Sequence, residues 1–192
     1  MNEEARNSAN QIAQAHTLHA GRHVTLYARN GWEFVSRNTR RPAVGIVAIT
    51  DDERIVLVEQ YRPPVGQRVV ELPAGLAGDI AGQEGESLLL AAQRELLEET
   101  GYAASRWTEL DVGYSSPGLT DESIVLFLAE GLQRLEAGGG DGTESIAIHE
   151  PPLAGVAQWL AAHGAAVDLK LWAGLFAAQE ARQTRHNPNK QE

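Results

Sequence analysis

Three glutamates near the middle of the chain have the residue type and spacing of a metal site. Glu95, Glu98 and Glu99 stand at i, i+3 and i+4, so a helix would carry all three side chains on one face. Carboxylates that close repel one another in water, whereas a divalent cation stabilises them, and oxygen ligands favour Mg²⁺ or Mn²⁺. Such ions catalyse reactions of phosphate groups. The competing interpretation is a solvated acidic surface, which the spacing alone does not exclude.

The residues around the three glutamates favour the metal site. Glu86 precedes Arg94 by eight residues, about two helical turns, so the two side chains can pair along one stripe and orient the cluster. An apolar stripe would seat the helix on a core through Leu89, Ala92 and Leu96. Gly101 then predicts the end of the helix, because glycine tolerates the left-handed conformation of a C-terminal cap.

Strand-like runs precede and follow this helix. The predicted strands are residues 23–28, 32–36, 43–50, 54–60, 69–72, 107–114, 123–129 and 146–149. The Asn-Gly pair at residues 30–31 is a strong hairpin signal between the first two, and residues 51–53 separate the next two. Helices are predicted near residues 153–162 and 168–181, and the glycine-rich residues 136–143 are predicted to form a flexible loop. Mixed strands with a few helices indicate an α/β or α+β class.

The motif as a whole resembles the signature of the Nudix hydrolases. Glu86 is followed by seven residues and then by residues 94–102, RELLEETGY, which match REUXEEXGU with apolar residues at the U positions. The resemblance implies a mixed β-sheet sandwiched between helices. The family pattern begins with a glycine six residues before the first glutamate, where this chain has Ile80. The best candidate is Gly75, which implies a five-residue insertion within residues 76–85.

Further matches extend the resemblance to the branch of ADP-ribose and ADP-sugar pyrophosphatases. It covers about residues 20–182, including YRP at residues 61–63, ELPAG at residues 71–75 and Pro117, sixteen residues after Gly101. The resemblance implies Mg²⁺-dependent hydrolysis of the diphosphate bond of ADP-ribose or a related ADP-sugar, giving AMP and a sugar phosphate. The nearest alternative is a pyrophosphatase for GDP-mannose or another nucleoside diphosphate sugar.

The resemblance also implies roles for individual residues. The metal ligands it implies for Mg²⁺ or Mn²⁺ are Ala74, through its backbone carbonyl, and Glu95, Glu98 and Glu99. Glu86 would position Arg94. A general base is expected from the loop before the last strand, where Glu144 is the candidate and Asp141 and Glu150 compete with it.

Four other matched residues have a substrate-binding interpretation and a simpler one. Trp32 would stack on the adenine, or it is an aromatic residue at the edge of a sheet. Arg37 and Arg62 would form charge-assisted bonds to the diphosphate, or they are solvated. Pro117 would contact the substrate, or it stiffens the turn at residues 115–118.

The resemblance also predicts how the chain is organised. We expect a loosely ordered N-terminus at residues 1–16, a β-hairpin region for dimerisation and nucleotide contacts at 17–42, the Nudix domain at 43–182 and a tail at 183–192. The expected partners are the nucleoside diphosphate sugar and a second copy of the chain, in a homodimer. Another class remains open, a non-catalytic module of the same fold that binds a nucleotide metabolite. Such proteins would be expected to lose the carboxylates of the motif, which this chain retains.

Composition restricts the function further. Sixteen basic and 26 acidic residues give a net charge of −10, which argues against a protein that binds nucleic acid through its phosphates. The chain has no cysteine, and no apolar run approaches the length of a membrane span. We therefore expect a cytoplasmic protein without membrane or nucleic-acid partners. The six histidines show no zinc-ligand spacing and are expected at the surface.

Overall fold

A computed structural model describes residues 15–80, 82, 84–140 and 145–186. Contacts between Cα atoms divide the chain into two units. The first contains Met1–Arg41 and Tyr114–Ser123, and the second contains Pro42–Gly113 and Ile124–Glu192. No helix in the described ranges is both long and apolar enough to cross a membrane.

The first unit contains an antiparallel sheet of three strands in the order β1-β2-β3. These strands are β1 (His16–Ala20), β2 (Val24–Arg29) and β3 (Trp32–Arg37). The predicted hairpin is confirmed, because β2 pairs with β3 across Asn30 and Gly31, whose positive φ angles of 52° and 82° suit a tight turn. Strand β1 was not predicted. All five of its residues are exposed, so it lacks the alternating apolar pattern that marks a strand.

The second unit is built on a mixed sheet. Its strands are β4 (Ala43–Ile49), β5 (Ile55–Arg62), β6 (Gln67–Glu71), β7 (Ala74–Leu76), β8 (Tyr102–Tyr114), β9 (Ser123–Arg134), β10 (Ala147–His149) and β11 (Ala166–Val167). The main order is β11-β6-β5-β4-β9-β8, with β10 beside β5 and β7 beside β4. The pairs β4–β9 and β6–β11 are parallel, whereas β5 runs antiparallel to β4 and β6.

Three helices cover the two faces of this sheet in the described part of the chain. They are α1 (Leu88–Thr100), α2 (Val156–His163), which follows a 3-10 turn at Leu153–Gly155, and α3 (Leu169–His186). Strand β4 alternates between two buried clusters. One cluster lies between β4 and α1 and contains Val44, Ile46, Ala48, Ala91, Ala92 and Leu96. The other lies between β4 and helices α2 and α3 and contains Val47, Ile49, Val156, Leu160 and Leu171. The predicted fold class, a mixed sheet between helices, is confirmed.

Several element boundaries differ from the prediction. Strand β8 begins at Tyr102 rather than at residue 107, and β9 continues to Arg134 rather than ending at residue 129. Both extensions include polar, exposed residues, which weaken the sequence signal for a strand. The short strands β7 and β11, of three and two residues, were not predicted. Helix α3 continues to His186, into the segment assigned to the tail.

Candidate active site

Helix α1 has defined caps at both ends. At its N-terminus the hydroxyl of Ser87 accepts a hydrogen bond from the N–H of Leu90 at 3.2 Å. At its C-terminus Gly101 adopts the left-handed conformation, with φ of 74°, and its N–H donates to the carbonyl of Leu97 at 2.8 Å. The apolar face differs from the predicted one in one residue. Leu89 is 39% exposed, whereas Ala91 is fully buried beside Ala92 and Leu96.

The glycine-rich loop after β9 completes the C-terminal cap of α1. The N–H of Gly139 donates to the carbonyl of Glu99 at 2.9 Å, and the N–H of Gly140 donates to the carbonyl of Glu98 at 3.0 Å. These bonds satisfy carbonyls that have no partner within the helix. The loop predicted at residues 136–143 is confirmed in its described part, which is anchored to α1, while residues 141–143 lie outside the described residues. Its flexibility stays a prediction.

Glu95 and Glu99 are buried against the backbone of β7. Their residues are 8% and 5% exposed. The N–H of Ala74 donates to Oε2 of Glu99 at 3.0 Å. Gly75 lies so close to Glu95 that a Cβ at this position would overlap the Glu95 carboxylate. The structure thus brings Ala74, Glu95 and Glu99 together, three of the four predicted metal ligands, while the fourth, Glu98, is exposed at the surface of the helix.

Arg94 joins carboxylates of α1 and of the segment that precedes it. Its Nε and Nη2 donate to the two oxygens of Glu86 at 3.1 and 3.2 Å, and its Nη1 donates to Glu95 at 2.8 Å and to Glu98 at 3.1 Å. Its Nη2 also donates to Oδ1 of Asp79 at 3.2 Å. Asp79 lies in the predicted insertion, and the motif did not single it out. One guanidinium therefore fixes the orientation of several acidic side chains.

Burial dominates the electrostatics of Glu95. Desolvation raises the pKa of its carboxyl group to about 7, although the charge and the hydrogen bond of Arg94 oppose this rise. The negative charges of Glu98 and Asp79 add to it. A divalent cation would act in the opposite direction and stabilise the ionised carboxylate.

The ligand atoms of this site suit a hard cation, but the oxygens of its three carboxylates do not all lie close to one another. Carboxylate and backbone carbonyl oxygens are the ligands that Mg²⁺ and Mn²⁺ prefer. Among the described residues, Glu95, Glu98 and Glu99 do not form a triad whose ligand atoms all lie within 4.8 Å of one another. Because Glu95 and Glu98 share one nitrogen of Arg94, binding an ion would replace part of this pairing.

Both arginines predicted to bind the diphosphate have carboxylate partners. Arg62 forms a two-pronged ion pair with Glu71, with distances of 2.6 and 2.8 Å, and Glu71 is buried. In the first unit, Nε of Arg37 lies 2.5 Å from Oε1 of Glu122. Glu71 belongs to the matched ELPAG segment, but neither ion pair was predicted, because a glutamate carries no sequence signal for the arginine it will meet.

Two predicted substrate contacts share a cavity in the first unit. A cavity of about 460 Å³ is lined by Trp32 and Pro117 together with Arg29, Phe34 and Tyr114. Trp32 is 67% exposed, so its indole is open to this cavity rather than packed into a core. Within the described ranges the buried Nε of Arg29 has no hydrogen-bond partner, and its guanidinium carbon lies 4.8 Å from the centre of the Phe34 ring.

Of the three candidates for the general base, only Glu150 lies among the described residues. Glu144 and Asp141 lie outside the described residues. Glu150 lies directly after β10, and its Oε1 accepts a hydrogen bond from the hydroxyl of Tyr102 at 2.9 Å.

The expectation that the histidines lie at the surface is confirmed for His163, whereas His149 is partly buried. Each of the two directs its Nε2 to Oε2 of Glu59, at 2.9 Å from His149 and 2.8 Å from His163. Burial would raise the pKa of Glu59, but hydrogen bonds from His163, Arg68 and His149 outweigh it and lower the pKa to about 2. Spacing along the sequence gave no signal, because the three residues come from β10, α2 and β5.

Comparisons with known proteins agree with the motif. The NUDIX domain model matches residues 39–174. A Bacillus subtilis (strain 168) protein named ADP-ribose pyrophosphatase is 38% identical over 125 residues, which are 62% of this chain and 65% of that protein, less than two thirds of its length. A Bacillus methanolicus protein named methanol dehydrogenase activator is 39% identical over 133 residues, 68% of this chain and 69% of that protein.

A solved structure supports the same relationship. The crystal structure of an ADP compounds hydrolase aligns with a TM-score of 0.68 and 26% identity, covering 89% of this chain and 92% of that chain. The family inferred from the glutamate-rich motif is confirmed by these matches. Since the matched domain extends over most of the sequence, the chain belongs to the NUDIX domain family, that of the Nudix hydrolases.

Proposed function

We propose that this chain hydrolyses the diphosphate bond of ADP-ribose or a related ADP-sugar in a Mg²⁺-dependent reaction, giving AMP and a sugar phosphate. The observation that carries the proposal is the burial of Glu95 and Glu99 against the backbone of Ala74 and Gly75. Buried carboxylates are stable only when charge or hydrogen bonds compensate for lost water. Arg94 supplies one positive charge to several of them, so a bound divalent ion fits the remaining negative charge.

Each acidic residue has a role in this proposal. Glu95, Glu99 and the carbonyl of Ala74 would hold the ion, and the exposed Glu98 would hold a second ion or a ligand water. When bound, Mg²⁺ neutralises phosphate oxygens, aligns them and acidifies water. Arg94 keeps the carboxylates of Glu95 and Glu98 oriented.

A general base must also accept a proton from the attacking water. Glu144 is the candidate, with Asp141 and Glu150 as alternatives. Glu150 is engaged by the hydroxyl of Tyr102, so it would have to leave that hydrogen bond to act as the base. Replacing each of the three by its amide and comparing kcat across pH identifies the base, because its loss should remove the acidic limb of the profile.

The nucleotide half of the substrate is assigned to the cavity of the first unit. The exposed indole of Trp32 offers a face on which a purine can stack, and Pro117 lines the same cavity. Two of the three similar proteins, an ADP-ribose pyrophosphatase and an ADP compounds hydrolase, have names that refer to adenosine diphosphate compounds. These names favour ADP-ribose and ADP-sugars as substrates, whereas a stack on Trp32 would accept guanine as well as adenine.

A panel of substrates tests the proposal. The purified chain is incubated with Mg²⁺ and ADP-ribose, ADP-glucose, GDP-mannose or UDP-glucose, and the products are identified by mass spectrometry. We expect AMP and a sugar phosphate, with the highest kcat/KM for an ADP-linked sugar and no turnover after chelation. Faster release of GMP from GDP-mannose would assign the guanine alternative. Tight nucleotide binding without cleavage of any compound would instead indicate a binding module.

A further inference from the structure

A second group of side chains of the types that bind metals lies outside the acidic cluster of α1. Glu59 is on β5, His149 ends β10 and His163 ends α2. One ligand atom from each lies within 4.8 Å of the other two. Both imidazoles direct Nε2 to the same carboxylate oxygen, Oε2 of Glu59.

Neighbouring groups hold these three side chains in place. The indole of Trp159 stacks on His163, with ring centres 4.5 Å apart and planes 19° apart, and its centre lies 5.1 Å from that of His149. Trp159 itself packs against the buried cluster of the sheet. On the other side, Nε of Arg68 donates to Oε1 of Glu59 at 2.7 Å and leaves Oε2 directed to the histidines. Partners that orient ligands in this way accompany many protein metal sites.

The distances from Oε2 of Glu59 to the two histidine nitrogens are close to the distance between two ligands of a zinc ion. With bonds of about 2.0–2.1 Å to imidazole and to carboxylate oxygen, the ligands of tetrahedral zinc lie about 3.3 Å apart. The Nε2–Oε2 distances of 2.9 and 2.8 Å would need to open by only a few tenths of an ångström. Two imidazoles with one carboxylate form a ligand set that suits Zn²⁺ better than Mg²⁺.

The surroundings leave room for a fourth ligand. The side chains of His149 and His163 are 22% and 27% exposed, so water reaches the group from one side. The end of α2 also places the negative pole of the helix beside His163, which favours a cation.

We propose that Glu59, His149 and His163 form a zinc-binding site that is separate from the acidic cluster of α1. Oε2 of Glu59 and Nε2 of each histidine are the protein ligands, and water is the fourth. The ion would join β5, β10 and the end of α2 at one point of the second unit.

Calorimetric titration of the metal-free, full-length protein with zinc chloride tests the site. His163→Gln and His149→Gln each remove one ligand, and His19→Gln, at an exposed histidine of β1, is the matched control. Glu99→Gln removes a carboxylate of α1 and separates the two sites. Loss of a group that only orients a zinc ligand typically weakens binding by about 10–100-fold. We therefore expect at least a tenfold weaker Kd in both ligand variants and an unchanged Kd in the two controls.

Three outcomes would overturn the proposal: no zinc binding by the wild type, equal binding by the ligand variants, or loss of the tight site in Glu99→Gln. Circular dichroism verifies that each variant is folded. Should both histidine variants unfold, ring nitrogen resonances of the wild type give the answer directly. Zinc must then shift the Nε2 signals of His149 and His163, and unshifted signals would refute the site.

Discussion

Gly75 lies directly against the carboxylate of Glu95, with no room between them for even a methyl group. Glu95 is buried and held by Nη1 of Arg94 at 2.8 Å, so it cannot move aside without breaking that bond. We expect Gly75→Ala to displace Glu95 and to lower kcat on the order of 10²-fold, the effect of a misplacement of about 1 Å. Steady-state kinetics at saturating Mg²⁺ measures this loss. Gly155→Ala is the control, because a Cβ there meets open space; equal activity of the two variants would contradict the prediction.

Glu99→Gln should abolish turnover while the protein remains folded. The amide oxygen can still accept the hydrogen bond from the N–H of Ala74, so the shape of the site is kept and only the charge is lost. Removing one key electrostatic stabiliser typically costs on the order of 10²–10³ in kcat. Glu180→Gln, at an exposed position of α3, is the matched control. Retention by Glu99→Gln of more than about a third of wild-type activity would exclude Glu99 as a ligand, since such a loss is far below that range.

Trp32→Ala should raise KM with little change in kcat. A base stack worth about 1–3 kcal/mol corresponds to roughly tenfold or more in binding. Contacts far from the scissile bond are made equally in the ground and transition states, so their loss appears in KM. Trp172→Ala, another partly exposed tryptophan, serves as control. If Trp32 has only a structural role, the variant will show a lower melting temperature and a KM within about twofold of the wild type. A change that small is well below the effect of losing a base stack.

The chain should be a homodimer whose N-terminal strands contribute to the partner's site. Strand β1 is at an edge of the first unit's sheet, and all five of its residues are exposed. An exposed edge strand is a template for pairing with another chain. Sedimentation velocity at micromolar concentration measures the oligomeric state, and activity is assayed in the same samples. A fully active monomer would contradict this prediction.

Much of the fold was accessible from the sequence because its signals are local. The Asn-Gly turn predicted the first hairpin, and the nearly continuous apolar runs of β4 and β9 predicted strands, which the structure buries on both faces. The spacing of Glu95 and Glu99 predicted a helical face, and the helix carries both of them toward β7. The short strands β7 and β11 were not predicted, since two or three residues carry no periodicity.

The side chains that contact the site residues could not be predicted from local sequence signals. Arg62 meets Glu71, and Arg94 meets Asp79, through the register of strands and the path of a loop. His149 and His163 converge on Glu59 only after β10 and α2 have packed against the sheet. Such meetings depend on tertiary geometry, which residue spacing along the chain does not encode.

The glycines that cap the C-terminal end of α1 limit which insertions and deletions this protein can tolerate during evolution. The N–H groups of Gly139 and Gly140 donate to the carbonyls of Glu99 and Glu98, two of the residues proposed to bind the ion. A glycine-rich stretch is ordinarily a place where a lineage tolerates insertions. Here a gain or loss of one residue would shift the register of the helix end and carry the carboxylates with it. Libraries randomised in length at residues 137–140 should therefore yield few active clones, even though three of these four residues are glycines.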